Sequence, residues 1–400
     1  MKVAIAGYGV VGSGVAEMLI KNRETIAQAI GQDICLEYVV DIREVDLPED
    51  VELTDDIDRV LGDPDVKVLF ETIGGARIAY EYTQKALSRG IGVITSNKEL
   101  VATRGDELRE LARQKGAWYL CEAAVCGGVP VLRPLKTDLA GNRILHLNGI
   151  VNGSTNFLLT RMEETRMTFN AALAEAKSLG YLEADPTADV DGLDARRKLA
   201  ILANAAFGAR LSDDRLIPTT GIGRVTQRDL HAARLMGGAL KLIAHARRTE
   251  EGWTGWVHPS FVPDGHPLVG VRDVFNGLCV NGDCVGDVMF YGQGAGRLPT
   301  ASALIGDLVE LARNLDRPVS CDVLPVVPFV APDEEPVRAV IRVEGDVLPL
   351  CEAIPVEDVR SDGPLNAVLT TDMPLKELKE RIGIVRRMGS ELGVPLIGLC

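Results

Sequence analysis

The chain has 400 residues, of which 46% are apolar and 25% are charged, and its formal net charge is −14. This length is enough for two or three domains with hydrophobic cores of their own. The negative charge argues against a nucleic-acid or anionic-membrane partner, because no basic surface would neutralise phosphates. No apolar run approaches the roughly 20 residues that a membrane-spanning helix needs.

The amino terminus and the cysteines indicate a protein of the reducing cytoplasm. A Lys precedes the first apolar run, but the spaced glycines and the lack of a small-residue cleavage site favour a strand and a turn over a secretion signal. The eight Cys form no C-x-x-C pair, and the five His have no metal-ligand spacing. Buried or incidental thiols are therefore the expected state.

A glycine-rich turn follows the first strand. Residues 2–6 predict a short buried strand, and the sequence GYGVVGSG then leads into a helix expected to end near Ile30. A G-x-G-x-x-G between a strand and a helix is typical of a dinucleotide site. Gly7 would permit the tight turn, Gly9 would let the backbone approach a pyrophosphate, and Gly12 would allow close helix packing. A purely structural turn is the alternative.

The end of the second predicted strand bears on the choice of dinucleotide. This strand covers 34–40 and is followed by Asp41. An acidic residue there can accept hydrogen bonds from the ribose hydroxyls, which favours NAD. Arg43 lies two residues later and could pair with a 2′-phosphate, which favours NADP. The two signals conflict, so we expect a slight preference for NAD with some use of both.

Further strand–helix units predict an α/β fold with a Rossmann-type, doubly wound parallel sheet. The apolar runs that carry this pattern are 66–72, 91–95 and 118–125. Ligands bind beyond the carboxyl ends of such strands. The tripeptide Ser96-Asn97-Lys98 follows one of them and Glu122 lies near the end of the next. Lys98 is therefore better placed for chemistry than a random surface lysine.

The rest of the chain changes character twice, which predicts three domains with boundaries near 140 and 317. Residues 1–140 form the predicted dinucleotide-binding domain. In residues 141–317, helices are expected to about 242 and then strands, with a hairpin turn at Asn281-Gly282. Residues 318–400 begin with dense prolines and continue with short strands and one amphipathic helix.

Two stretches of the middle region have functional interpretations. Residues 291–296, YGQGAG, precede a helix, and their glycines would allow close approach to the nicotinamide end of a dinucleotide, or form a mere bend. Residues 180–198, GYLEADPTADVDGLDARRK, concentrate carboxylates and cations. Asp194 and Lys198 are four positions apart, which places them on one face of a helix. Such a pair can bind an amino acid, move a proton or form a solvated salt bridge.

Several motifs together resemble one family, homoserine dehydrogenase, over about residues 1–315. They occur in that family's order and spacing, although Cys126 stands where Gly is usual. The matching stretches are GYGVVGSG from Gly7, TSNK at 95–98, EAAVCGGVP at 122–130, GIVNGSTNF at 149–157, the charged stretch at 180–198, TGIGRVTQRD at 220–229 and YGQGAGRLPTASA at 291–303.

The resemblance implies reversible, NAD(P)-dependent reduction of L-aspartate 4-semialdehyde to L-homoserine, in the biosynthesis of threonine, methionine and isoleucine. Glu183 and Asp194 would bind the substrate, and Lys198 would carry the proton at the aldehyde oxygen. Lys98 would lie close by in a similar or shared role. Family accounts differ on which lysine carries the proton, and Lys198 is our preferred assignment.

The resemblance also implies binding positions for cofactor, ion and partner. The residues expected to contact NAD or NADP, with the glycine turn, are Tyr8, Val10, Val11, Ser96, Lys98 and Gly296. Backbone carbonyls around Glu122, Val125, Gly127 and Val129 would bind a monovalent cation, usually sodium. Residues 141–317 would bind the substrate and form a homodimer. No aspartate-kinase-like segment precedes Met1, so a monofunctional enzyme is expected.

The carboxyl-terminal residues 318–400 resemble the family least. Many homoserine dehydrogenases end in a ligand-sensing ACT module with the order βαββαβ, but the usual Asp-x-Pro-Gly turn is absent here. A degenerate ACT-like domain is one hypothesis, and an unrelated extension or dimer arm is another. For the whole chain, two alternatives are a Rossmann dehydrogenase of a different amino-acid semialdehyde or hydroxy acid and a non-catalytic dinucleotide sensor.

Overall fold

The computed structural model describes residues 1–182, 185–208, 213–315, 327–388 and 391–399. The chain divides into two compact units. The first takes its residues from Met1–Ala140, Ala200–Arg210 and Gly292–Val326, and the second from Gly141–Leu199, Leu211–Tyr291 and Val327–Cys400. The described part of the tail therefore belongs to the second unit, whereas the sequence predicted a separate third domain from residue 318.

The first 140 residues alternate strands with helices, as the sequence predicts. The elements are β1 (Lys2–Ala6), α1 (Val10–Lys21), α2 (Arg23–Ile30), β2 (Cys35–Val40), β3 (Glu52–Thr54), α3 (Ile57–Gly62), β4 (Val66–Glu71), α4 (Ala76–Ser88), β5 (Gly92–Thr95), α5 (Lys98–Lys115), β6 (Tyr119–Leu120) and α6 (Leu132–Lys136). Within the described residues, six strands form a parallel sheet in the order β3-β2-β1-β4-β5-β6. This is the doubly wound order, so the predicted fold class is confirmed.

Continuous apolar strands form this sheet because helices cover both of its faces. Val3, Ile5, Phe70 and Ile94 are completely buried, and they pack in one core with Leu308. Two local predictions for the first 140 residues differ from the structure. The first predicted helix is divided at Asn22, whose φ of −109° and ψ of 22° are not helical.

The predicted strand at 118–125 is much shorter in the structure. It pairs only over Tyr119–Leu120, and a short 3₁₀ turn follows at Glu122–Ala124. The reason is a buried polar contact, because the Glu122 carboxylate accepts hydrogen bonds from the backbone N–H groups of Val131, Leu132 and Arg133. These contacts draw the chain out of the sheet and into the start of α6.

The middle of the chain places helices against an antiparallel sheet. Its elements are β7 (Ile144–Ile150), α7 (Gly153–Thr165), α8 (Phe169–Ser178), α9 (Thr187–Val190), α10 (Leu193–Phe207), α11 (Gln227–Leu235), β8 (Gly238–Arg248), β9 (Trp253–Pro263), β10 (Phe275–Gly282), β11 (Gly286–Gln293) and α12 (Arg297–Arg313). Asn281 and Gly282 end β10 rather than forming the hairpin turn, which falls at 283–285 before Gly286 with a φ of +72°.

The tail continues the same sheet. Its elements are β12 (Pro336–Val337), β13 (Ala339–Glu344), α13 (Leu348–Ala353), β14 (Val356–Asp362), β15 (Leu365–Thr370), β16 (Met373–Pro374), α14 (Leu375–Arg387) and β17 (Leu396–Gly398). In the described part of the chain, nine strands pair in the order β11-β10-β7-β8-β9-β17-β13-β15-β14. Apart from β12 and β16, the tail follows the order βαββαβ named in the ACT-like hypothesis.

The parallel pairing of β17 with β9 attaches the tail to the middle of the second unit. One hydrophobic core then runs through both parts, with Ile243 and Val262 from the middle region and Ile341, Val368 and Ile382 from the tail. The ACT-like domain stays a hypothesis beside an unrelated extension or dimer arm, and the described residues of the tail belong to the second unit. No helix in the described ranges is long and apolar enough to cross a membrane.

Candidate active site

The glycine turn after β1 leaves room for a phosphate. Gly7 has a φ of +92°, and a Cβ there would lie 2.9 Å from the Thr72 carbonyl oxygen. A Cβ on Gly12 would collide with the Gly7 carbonyl oxygen, whereas a Cβ on Gly9 would meet no described heavy atom within 4 Å. The space beside Gly9 is therefore open, and it lies at the start of α1, where backbone N–H groups can bind an anion.

At the end of β2, Asp41 is held by groups of the same site. Its carboxylate accepts hydrogen bonds from the Tyr8 backbone N–H at 2.8 Å and from Arg43 Nε and Nη2 at 2.9 and 2.8 Å. The Arg43 guanidinium, helped by the Tyr8 and Arg43 N–H groups, holds the pKa of Asp41 well below its usual value. The Asp41 side chain is buried and that of Arg43 is exposed, so a ligand entering here meets the cation.

Lys98 begins α5 directly after the end of β5. Asn97 caps this helix, since its Oδ1 accepts a hydrogen bond from the Leu100 N–H at 3.0 Å. The Asn97 amide also donates to the carbonyl oxygens of Ile73 and Gly75, at 3.2 and 2.8 Å. The loop of Ser96 and Asn97, and with it the start of α5 at Lys98, is therefore tied to the loop after β4 within the first unit.

The segment 122–129 turns sharply beside the second glycine loop. Cys126 and Gly127 have φ angles of +56° and +50°, in the left-handed region. A side chain at Gly127 would collide with the Gly294 carbonyl, and Gly128 donates a hydrogen bond to the Gln293 carbonyl at 3.1 Å. Cys126 thus adopts a backbone conformation that glycine reaches most readily.

The predicted cation-binding residues Glu122, Val125, Gly127 and Val129 lie in or beside this turn, and all four are buried or nearly so. The Glu122 carboxylate is occupied by the N–H groups at the start of α6. Side-chain clusters of His, Cys, Asp or Glu that could hold a metal ion do not occur among the described residues. A site here would consist of backbone carbonyls.

In the second unit, α10 brings Asp194 and Lys198 together, as their spacing predicts. Lys198 Nζ lies 2.8 Å from Asp194 Oδ2 and donates a hydrogen bond of 2.7 Å to the Val151 carbonyl oxygen. Both side chains are buried, with 2% of Asp194 and 8% of Lys198 exposed. A solvated surface salt bridge is therefore excluded, because water is largely kept from this pair.

Asn152 is a residue of this cluster that was not among the predicted site residues. It does cap α7, since its Oδ1 accepts a hydrogen bond from the Thr155 N–H at 2.8 Å. Its amide Nδ2 also donates to Asp194 Oδ2 at 2.8 Å and to Asp189 Oδ1 at 2.6 Å. One side chain thus joins the start of α7 to two carboxylates of the charged stretch. The only sequence signal for this role was its place in the GIVNGSTNF motif.

The other predicted residues are placed as follows. Gly296 has a φ of +122° and precedes α12. Val10 and Val11 form the first turn of α1, next to the open space at Gly9. Lys98 belongs to the first unit, and Asp194 and Lys198 belong to the second. Glu183 lies outside the described residues.

Lys241 is a further buried cation in the second unit that the sequence did not suggest. Its Nζ donates to the Val271 carbonyl oxygen at 2.5 Å and to Asn156 Oδ1 at 3.3 Å. The Asn156 amide in turn donates to the carbonyl oxygens of Asp273 and Phe275. Burial lowers the pKa of Lys241 to about 8. This contact network anchors the segment 271–275 against α7.

A parallel sheet whose first turn leaves space for a pyrophosphate is typical of NAD(P)-dependent oxidoreductases. The buried lysine–carboxylate pair of the second unit is a group that can move a proton in such a reaction. Comparison with known proteins narrows the class. Residues 7–122 match the family model for the homoserine dehydrogenase NAD binding domain, and residues 130–309 match the homoserine dehydrogenase model. The chain belongs to the homoserine dehydrogenase family.

Individual relatives agree with this assignment. The homoserine dehydrogenase of Pseudomonas aeruginosa is 42% identical over 317 residues, which cover 79% of this chain and 73% of that protein. The enzyme of Bacillus subtilis is 40% identical over 320 residues, with the same two coverages. The crystal structure of a homoserine dehydrogenase from Thiobacillus denitrificans superposes with a TM-score of 0.92 at 32% identity, covering 100% of this chain and 98% of that one.

A more distant structure carries a dinucleotide. A hyperthermophilic archaeal homoserine dehydrogenase mutant in complex with NADPH superposes with a TM-score of 0.65 at 27% identity, over 77% of this chain and 96% of that one. Since the NAD-binding model matches the glycine turn of this chain and the turn has room for a phosphate, the residues fit the cofactor of the family.

Proposed function

We propose that this protein catalyses the reaction L-homoserine + NAD(P)⁺ ⇌ L-aspartate 4-semialdehyde + NAD(P)H + H⁺. Membership of the family supports the substrate. The single observation that carries the chemistry is the buried ion pair of Asp194 and Lys198, with 2.8 Å between the carboxylate oxygen and the ammonium nitrogen. A shielded ammonium of this kind can exchange a proton with a substrate oxygen.

Lys198 is the proposed proton donor and acceptor. When bound, the dinucleotide supplies or accepts the hydride at its nicotinamide ring. Reduction of the aldehyde builds negative charge on its oxygen, and Lys198 Nζ donates the proton that neutralises it; in the reverse direction Lys198 takes the hydroxyl proton. Asp194 and the Val151 carbonyl hold the ammonium in place at 2.8 and 2.7 Å. Asn152 keeps the Asp194 carboxylate directed at the lysine.

Binding of the zwitterionic substrate requires a carboxylate for its ammonium group. Glu183 is the proposed partner, on the sequence motif alone. Asp194 is proposed to accept a hydrogen bond from the substrate as well as to hold Lys198. Lys98 is the reserve candidate for the proton, because it begins a helix at the carboxyl end of β5, where ligands of such sheets bind.

The dinucleotide is proposed to be NAD or NADP, with both accepted. Asp41 can still accept from a ribose hydroxyl, while the exposed guanidinium of Arg43 suits a 2′-phosphate. Tyr8, Val10, Val11 and the glycines of the turn would surround the pyrophosphate. The second glycine loop, with Gly296, would approach the nicotinamide end.

A monovalent cation, a homodimer and a cytoplasmic location complete the proposal. The cation site rests on the family resemblance of residues 122–129, which contain the left-handed turn at Cys126-Gly127. Replacing sodium chloride by choline chloride at constant ionic strength should then lower activity. Sedimentation velocity tests the homodimer, which the family resemblance suggests.

The central test is formation of NADH or NADPH from L-homoserine at alkaline pH, with the full chain and with Lys198→Ala. We expect activity with the native chain and its near loss in the variant. A native chain that is inactive with both dinucleotides, although it binds them, would instead favour a non-catalytic sensor. Activity with another hydroxy amino acid only would favour a different semialdehyde as substrate.

A further inference from the structure

Glu71 is a completely buried carboxyl group at the carboxyl end of β4. It is the last residue of its strand, so it lies at the edge of the sheet where the dinucleotide is expected. Burying a carboxyl group costs free energy, because burial disfavours its charged form, unless hydrogen bonds compensate. The hydrogen bonds of Glu71 therefore indicate its role.

The Glu71 carboxylate joins the loops that follow β4 and β5. Its Oε1 accepts a hydrogen bond from the Ile73 backbone N–H at 2.8 Å, and its Oε2 accepts one from Thr95 Oγ1 at 2.6 Å. Thr95 Oγ1 in turn accepts a hydrogen bond from the Asn97 N–H at 2.9 Å. Asn97 caps α5, whose first residue is Lys98. One chain of hydrogen bonds therefore runs from Glu71 to the loop 95–98.

The same carboxylate also acts on the glycine turn. Next to Ile73, the Thr72 hydroxyl donates a hydrogen bond of 2.6 Å to the Gly7 carbonyl oxygen, and the Thr72 N–H donates one of 2.9 Å to the Ala6 carbonyl oxygen. The turn at Gly7 also packs tightly here, since a Cβ on Gly7 would lie 3.0 Å from the Ile73 nitrogen. A shift of residues 72–73 would therefore move the turn that is expected to hold the pyrophosphate.

Glu71 changes charge in the neutral range. Burial raises the pKa of Glu71 to about 7, against the opposing hydrogen bonds from Thr95 and Ile73. Its charge also reaches Tyr119 on β6, whose pKa is raised well above the usual value by burial, by Cys121 and by Glu71 itself, with Arg109 acting in the opposite direction. Tyr119 therefore stays neutral at the pH where Glu71 titrates.

We propose that Glu71 is a positioning residue for the dinucleotide, whose ionised carboxylate holds the loop 72–75 beside the glycine turn and, through Thr95, holds the loop 95–98. The ionised group accepts from both donors at once. A proton on Oε2 points at Thr95 Oγ1, so the Thr95 hydroxyl can no longer donate to that oxygen and must turn to another acceptor. Dinucleotide affinity then falls as the pH drops below about 7.

The test measures the dissociation constant of NADH by fluorescence titration between pH 6 and 8.5, without substrate. NADH is the probe because, unlike NADPH, it has no phosphate that titrates in this range. For the native chain we expect weaker binding at pH 6 than at pH 8.5, by up to about tenfold, since at most the free energy of one hydrogen bond to a charged group can be transmitted to the dinucleotide site. In Glu71→Gln, which cannot accept from both donors, the weaker binding is expected throughout and changes less than about twofold with pH.

Two further variants separate positioning from general stability. Thr95→Val should weaken NADH binding at pH 8.5, and the double variant with Glu71→Gln should be no weaker than the weaker single variant, since both act in one chain of hydrogen bonds. Val68→Ala, a truncation of a completely buried residue in the same strand, should lower the unfolding midpoint and leave the pH profile of NADH binding unchanged.

The proposal rests on dinucleotide binding by the family and not on the identity of the substrate. A native pH profile retained in Glu71→Gln overturns it, and so do additive effects of Glu71→Gln and Thr95→Val. If Glu71→Gln does not fold, Thr95→Val with an unaltered pH profile has the same meaning. NADH binding that is strong and pH-independent in the native chain also refutes it, whether or not L-homoserine is oxidised.

Discussion

Replacing Lys198 by Met is the most direct test of the proposed chemistry. The methionine keeps the length of the apolar stem but removes the ammonium group that lies 2.8 Å from Asp194 Oδ2. General acid–base catalysis by a positioned side chain typically contributes about 10² to 10⁴ in rate, so kcat should fall within this range. The KM for the dinucleotide should change little, because the glycine turn is not altered.

The same substitution has a cost in stability that can be worked out from the burial of the pair. Removing one partner of a buried ion pair costs about 3–5 kcal/mol, since the other charge is left without compensation. We expect the lower end, near about 3 kcal/mol, because Asn152 Nδ2 still donates to Asp194 Oδ2 at 2.8 Å. Urea unfolding at the assay temperature gives this value and shows whether the variant is fully folded under the conditions of the kinetics.

Arg196→Met is the matched control. Arg196 lies on the same helix and pairs with Asp214 at 2.8 Å, in a more accessible environment. It should cost about 1 kcal/mol or less and leave kcat within about threefold. The assay is NAD(P)H formation from L-homoserine at saturating substrate. A Lys198→Met enzyme that keeps more than about a tenth of native kcat would refute the role of Lys198 as proton carrier, and a large loss in Lys98→Met alone would transfer that role to Lys98.

Three further predictions concern the dinucleotide site and the buried lysine. Arg43→Ala should raise the KM for NADP by about three- to tenfold and the KM for NAD by less. The effect is modest because this guanidinium is exposed. Equal changes in the two KM values would contradict the assignment of Arg43 to the 2′-phosphate. Gly9→Ala should change the unfolding free energy by less than about 0.5 kcal/mol, because its Cβ meets only open space, yet it should weaken NADH binding. Gly12→Ala should lower both the unfolding free energy and the affinity for NADH. An unaltered NADH titration of Gly9→Ala would exclude a phosphate contact at Gly9. The pKa of Lys241 is lowered to about 8 in the folded state and is about 10.5 in the unfolded state. Between these pH values only the unfolded state is protonated, so the unfolding free energy of the native chain, relative to that of Lys241→Met, should rise by about 3 kcal/mol from pH 8 to pH 10.5. Urea unfolding at the two pH values measures it, with exposed Lys376→Met as the control, and a constant difference would show that Lys241 is charged in the fold.

Much of the first unit could be predicted from local pattern. Continuous apolar runs between helices indicated a parallel sheet, and the structure has that sheet in doubly wound order. The helix that the pattern extended to Ile30 is divided at Asn22 because backbone angles at one residue leave the helical region, which periodicity does not register. The strand at 118–125 was overestimated because the polar contacts of Glu122 with the start of α6 decide where it ends.

The candidate site shows the same division between short-range and long-range information. The approach of Lys198 to Asp194 was predictable, because a spacing of four residues on a helix brings side chains to one face. The bridge from Asn152 to Asp194 joins residues 42 positions apart, and no local pattern encodes it. The two hydrogen bonds from Arg43 to the Asp41 carboxylate were also not predicted, although both residues were recognised as opposing signals for the choice of cofactor.

By itself, the sequence determined the strand–turn–helix at the amino terminus, the class of fold, the family and the pairing of lysine with carboxylate on one helical turn. The first and the last of these depend on neighbours within about four residues, where periodicity and backbone stereochemistry are sufficient. The class of fold and the family follow from the order of several such motifs along the chain. The tertiary structure decided which groups are buried and what they contact: the two donors on Glu71, the carbonyls around Lys241 and the pairing of β17 with β9. These depend on chain segments brought together by burial of apolar surface, whose partners are not defined by sequence distance.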